Sequence, residues 1–118
     1  MARILLVDDD DALRTAMCLA LELDGHRVTT AATAGAAIRS LEERTPDIIV
    51  SDVYLPGSGL TVLERARRCA HPVPVVMITG QPSPDLRERV RRRGAALEVK
   101  PIDLRRFRRV IAEALDEH

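Results

Sequence analysis

Five short apolar runs alternate with five amphipathic stripes, and that alternation restricts the fold of this chain more than any other feature. The runs are "RILLVD" (3–8), "HRVTTA" (26–31), "DIIVSD" (47–52), "PVVMITG" (74–80) and "AALEV" (95–99). They read as strands, being short, β-branched and bounded by turn residues. Between them, Leu13, Ala16, Met17, Ala20 and Leu21 form one helical stripe over 12–23, stopped by Asp24-Gly25. Ala34, Ala37, Ile38 and Leu41 form the next, with Pro46 beyond its end. A third helix is expected over 59–70, with Leu60, Leu63, Ala66 and Ala70 inward. Pro82, Ser83 and Pro84 open a fourth that runs to Arg93 and is capped by Gly94. Leu104, Phe107, Val110, Ile111 and Ala114 stripe the last.

Strands without polar alternation are buried on both faces, which implies a parallel sheet with helices on either side. Right-handed crossovers leave few topologies. The expected fold class is α/β, a (βα)5 doubly wound sheet in the flavodoxin-like order 2-1-3-4-5. The 118 residues suit a single domain. The fourth helix has only Leu86 and Val90 as large apolar residues against five Arg, so its local stability should be low.

Composition narrows the function. No apolar run approaches the ~18 residues of a membrane span. No secretion signal is visible, and Cys18 and Cys69 lack metal-site spacing, so a reduced, cytoplasmic protein is expected. His26, His71 and His118 lie in different segments and read as surface or turn residues. Net charge is zero, which gives no support for direct nucleic-acid binding. Lys100 is the only lysine among eighteen basic residues. A lone Lys in an Arg-rich chain suggests a position that needs a compact ammonium; chance survival of one surface Lys is the plainer alternative.

Ligands of doubly wound sheets bind outside the carboxyl ends of the strands. There the sequence places Asp8 and Asp9, Asp52, Thr79, and Lys100. Three carboxylates suit Mg2+, whose charge would offset their repulsion. A carboxylate beside a divalent metal, a hydroxyl and an ammonium can accept phosphoryl. Taken singly, each residue has a plainer reading: Asp8 and Asp9 as helix caps, Asp52 as a turn residue, Thr79 as an ordinary strand residue. Asp10 and Asp11 read as helix-start acids.

In this order and register, "ILLVDDD", "PDIIVSDVYLPGSG", "VPVVMITGQ" and "VKPID" resemble the response-regulator receiver domains of two-component signalling, over the whole chain. The resemblance implies one receiver domain over 1–118, with no effector domain in this chain. It implies Asp52 as phosphoryl acceptor and Asp9 as a direct Mg2+ ligand. Asp8 would hold metal-bound water, and the backbone carbonyl of Tyr54 would be a further ligand. Thr79 matches the switch hydroxyl, Gly80 a small residue giving access, and Lys100 the phosphate-pairing lysine, with a cis bond to Pro101. The partner would be a histidine kinase or phosphotransfer protein. An effector or second copy would use the face of helix 4, strand 5 and helix 5, with no membrane contact. Such a domain is no enzyme in the usual sense, although it supplies most of its own transfer chemistry and slow hydrolysis. One departure stands out: Leu97 occupies the position of the family's switch aromatic. Two further readings follow, a degenerate receiver that binds partners without phosphorylation, and a small phosphatase with Asp8 as nucleophile. Ala12 in place of a Thr argues against the second.

Overall fold

A computed structural model describes residues 1–117, and His118 lies outside the described residues. The elements alternate as expected: β1 (Arg3–Val7), α1 (Asp11–Leu23), β2 (Arg27–Ala31), α2 (Ala34–Glu43), β3 (Ile48–Asp52), α3 (Gly59–Ala66), β4 (Val75–Thr79), α4 (Pro84–Arg92), β5 (Ala96–Val99) and α5 (Leu104–Asp116). The five strands are parallel, in the order β2-β1-β3-β4-β5.

Alternation along each strand divides the core in two. Leu5, Val7, Ile49, Val75 and Met77 pack under α2, α3 and α4. Ile4, Leu6, Ile48, Val50, Val76 and Ile78 pack under α1 and α5. Each such side chain, fully buried, contributes roughly 1.5–3 kcal/mol, so the three central strands form the rigid platform for whatever stands at their ends. Cys18 and Cys69 are free thiols packed against opposite faces of the sheet, so the sheet itself separates them.

Side chains start every helix. Asp10, Thr33, Ser58, Ser83 and Asp103 accept hydrogen bonds from first-turn amides, which satisfies donors a helix cannot satisfy itself. Asp10 and Asp11 are thus helix-start acids, as expected.

Several expectations need correction. Continuous burial holds for β3 and β4 but not for the edge strands: β2 is largely exposed, and β5 is half-buried at Leu97 and Glu98 and exposed at both ends. An edge strand has a neighbour on one side only, and here β-branched Val28, Thr29 and Thr30 reflect strand propensity rather than burial. The third helix ends at Ala66, not at 70; Ala70 is exposed, and Val62 takes the inward place. Arg67 closes it, and turns through Cys69 lead to Pro72 and Pro74, which cannot continue a helix. Leu104, in the first turn of α5, is exposed, and Phe107 and Ile111 carry the buried face. His26 is half-buried, its Nδ1 accepting from the Ala2 amide.

Candidate functional site

Parallel register brings the predicted residues together. Val7 lies beside Ser51, so the chain leaving β1 puts Asp8 next to Asp52 at the end of β3. Asp52 is level with Ile78, and Thr79 with Val99, so Lys100 follows directly onto the same rim. The Lys100 amide donates to the Thr79 carbonyl at 2.8 Å, and the Lys100–Pro101 bond is cis. All of Asp8, Asp9, Asp52, Thr79 and Lys100 therefore converge. Asp9, Asp10, Asp52, Tyr54, Gly80, Gln81 and Lys100 line an open cleft of about 340 Å³.

Ligand oxygens of Asp8, Asp9 and Asp52 lie within 4.8 Å of one another. Lys100 Nζ is 2.6 Å from Asp52 Oδ2 and 3.8 Å from Asp8 Oδ2. Asp8 is completely buried. Its Oδ1 accepts from the Asp10 amide at 2.8 Å, but Oδ2 has no hydrogen-bond partner. Burial pushes the Asp8 carboxyl above its ordinary range; the Asp10 amide and Lys100 oppose this, while Asp52 and Asp9 add to it. Burial alone would lower Lys100, but its bond to Asp52 and the charges of Asp52 and Asp8 carry it above the usual lysine value. A buried carboxylate oxygen with no protein partner, facing two other acids, fits the oxygen donors that a hard divalent cation takes. The donor set could therefore hold a divalent metal.

Asp52 is held from behind. Its Oδ1 accepts from the Tyr54 amide at 3.2 Å, and a β-carbon on Gly59 would lie 1.9 Å from the Asp52 carbonyl oxygen. The loop gains that closeness at a cost, since Ser58 adopts φ +71° and ψ 129°, a region nearly reserved for glycine. Gly59 escaped the sequence reading, although "PGSG" marks a loop with special backbone needs. Thr79 is buried, and its Oγ1 accepts from the Gln81 amide at 2.9 Å, tying the hydroxyl to the loop that enters α4. Gly80 is less constrained: a β-carbon there would make ordinary contact with Lys100 at 3.8 Å. Leu97 is half-buried and packs on the α4 side of the sheet.

Among the described residues, no helix is long and apolar enough to cross a membrane. Residues 4–112 match the family model of the response regulator receiver domain. The chain is 45% identical over 82 residues to the transcriptional regulatory protein AfsQ1 of Streptomyces coelicolor. That match covers 69% of this chain and 36% of AfsQ1, so the chain spans about a third of such a relative. Among solved structures, it resembles a CheY-like response regulator receiver domain protein from Methanospirillum hungatei. The TM-score is 0.93 at 34% identity, over 99% of this chain and 95% of that one. It also resembles the beryllofluoride-activated NtrC4 receiver domain dimer, with TM-score 0.90 at 30% identity, over 98% and 97%. The family model covers nearly the whole sheet and its five helices, and the chain belongs to the response regulator receiver domain family.

Proposed function

We propose that this domain is a phosphorylation switch in which Asp52 accepts a phosphoryl group from a histidine kinase or phosphotransfer protein. The observation that carries this is the cluster of three carboxylates around Asp52 with Lys100 Nζ at 2.6 Å. Asp9, Asp52 and the Tyr54 carbonyl would hold Mg2+, with Asp8 holding water on it. The ion would supply charge neutralisation to the transferring oxygens.

The Asp52 carboxylate attacks phosphorus, the bond from phosphorus to the donor imidazole nitrogen breaks, and that nitrogen keeps the electron pair. Lys100 moves from pairing the free carboxylate to pairing the phosphoryl oxygens. The Thr79 hydroxyl turns to donate to one of them, and the shift of Oγ1 toward the phosphoryl group breaks the bond it now accepts from the Gln81 amide. The release reaches α4 through Gly80–Ser83, and α4 is weakly held, with only Leu86 and Val90 buried. Phosphorylation thereby biases the face of α4, β5 and α5 toward an effector or a second copy. Slow attack of water on the acyl phosphate resets the domain.

A domain that binds partners without phosphorylation is the second reading, favoured by Leu97 alone. An Asp8-nucleophile phosphatase is disfavoured, since the cleft opens onto Asp52 and Asp8 is sealed. Incubation with acetyl phosphate and Mg2+ tests the proposal. A base-labile phosphoryl adduct should form on the wild type and not on Asp52→Ala. An adduct that persists in Asp52→Ala, or none on the wild type, rejects it.

A further inference from the structure

Asp8 and Asp9 share one peptide group, whose carbonyl belongs to Asp8. That carbonyl does not join the sheet ladder. Instead Arg14, one turn into α1, reaches back and donates Nη1 to it at 2.7 Å. Its Nη2 pairs with Asp11 Oδ1. The Arg14 side chain is four-fifths buried although it sits on a surface helix. Two further bonds close the same turn, from the Asp10 amide to Asp8 Oδ1 and from the Leu13 amide to Asp10 Oδ1. The Asp8 amide is meanwhile fixed to the Ala31 carbonyl.

We infer that Arg14 is a positioning residue for the acid pair, orienting the Asp8–Asp9 peptide plane so that both carboxylates converge on Asp52. The argument is geometric. Asp8 is fixed through its amide and its Oδ1, but Asp9 is exposed, and its carboxylate makes no hydrogen bond or salt bridge among the described residues. What sets the direction of its side chain is the plane of the peptide before it. Anchoring the Asp8 carbonyl on the α1 side restrains ψ of Asp8 and φ of Asp9 together. A planar fork can bond a carbonyl and a carboxylate at once, which a lysine ammonium on its flexible stem does less rigidly. Supporting residues of this kind typically change metal affinity 10–100-fold.

This inference rests on the proposed metal site, and the test separates the two. Arg14 is a cation near three anions, so if it acted only through its charge, Arg14→Met should bind Mg2+ more tightly. Positioning gives the opposite sign. Mg2+ titrations followed by amide chemical shifts should show about tenfold weaker binding in Arg14→Met. Arg14→Lys, which keeps the charge and one donor, should fold where Met does not and lose affinity a few-fold. Asp11→Ala, which removes only the acceptor of the other prong of the fork, should stay within about twofold of the wild type. Unchanged or tighter binding in Arg14→Met, or in Arg14→Lys if only that variant folds, overturns the inference. A wild type with no Mg2+ response overturns the metal site itself.

Discussion

Gly59 lies so close to Asp52 that a β-carbon on it would sit 1.9 Å from the Asp52 carbonyl oxygen. The start of α3 and the end of β3 are therefore one mechanical unit, sealed by the Gly59 amide donating to the Val53 carbonyl at 2.8 Å. Neither backbone can yield, because Asp52 is in register with Ile78 and Gly59 begins a helix whose next turn buries Val62 and Leu63. Gly59→Ala should thus destabilise the domain by more than about 3 kcal/mol in urea unfolding. Any folded fraction should accept phosphoryl poorly, since the clash displaces the acceptor. Gly80→Ala is the contrast, expected within about 1 kcal/mol of the wild type because its β-carbon meets only the flexible Lys100 stem. Equal stability of Gly59→Ala and wild type would contradict this geometry.

Metal binding should be visible as stability. Burial raises the Asp8 carboxyl above its ordinary value, so its neutral form is favoured in the folded state. Without metal, the contribution of Asp8 to stability should be full below about pH 4 and be lost as pH rises from there through its raised value, an effect isolated by comparing the wild type with Asp8→Asn. Asp8→Asn keeps an oxygen for the Asp10 amide and removes the orphaned charge, so it should stabilise the metal-free domain by on the order of 1 kcal/mol. The same change should abolish the stabilisation that Mg2+ gives the wild type at neutral pH, a gain that grows with ion concentration. Asp9→Ala should lose most of that gain and Asp11→Ala should keep it, since Asp11 faces Arg14 rather than the cluster. Thermal melts with and without Mg2+ read all four proteins.

The sequence sufficed for these residues because a parallel sheet converts order along the chain into position on one rim. Knowing that Asp8, Asp52, Thr79 and Lys100 each follow an apolar run was enough to bring them together. The expected order already put "HRVTTA" and "AALEV" at the edges, but strand propensity alone made them look as covered as the central runs, which they are not. Helical spacing likewise continued the third stripe to Ala70, whereas the helix ends where Arg67 turns away to bond distant carbonyls. Contacts of that kind, Arg14 to Asp8 and Arg67 to Val73 and Arg93, join side chains to main chain. They leave no periodic trace, so the sequence showed only arginines.

The place of Lys100 argues against the lone lysine being chance. Its Nζ stands 2.6 Å from Asp52 and 3.8 Å from Asp8, with about a quarter of the side chain exposed. A planar guanidinium is wider than an ammonium and cannot occupy that position between two buried carboxylates without shifting one of them. Lys100→Arg should therefore fold but show a weakened response around Thr79 and α4 when a beryllofluoride-type phosphoryl mimic is added with Mg2+. An unaltered chemical-shift response would restore the chance explanation.

The way α4 is fastened predicts where it moves. Arg67 donates Nε to the Arg93 carbonyl at 2.7 Å and Nη1 to the Val73 carbonyl at 2.9 Å. Burial lowers its guanidinium below the usual arginine value, yet two acceptors hold it. Arg93 also pairs with Glu64 on α3, but that ion pair is exposed and adds little to the fastening. The carboxyl end of α4 is thus pinned to α3 and to the start of β4. Its amino end hangs from Ser83 and the loop that Thr79 holds through the Gln81 amide. A helix fixed at one end and released at the other pivots. Arg67→Met should remove the pin and leave the Val73 carbonyl unsatisfied, costing about 1–3 kcal/mol. Amides at the end of α4, from Arg91 to Gly94, should exchange with solvent at least about fivefold faster, while those of β4 stay protected. Glu64→Gln should change neither, because an exposed ion pair contributes little. Hydrogen exchange that quickens first at the amino end of α4 in Arg67→Met would place the pin elsewhere.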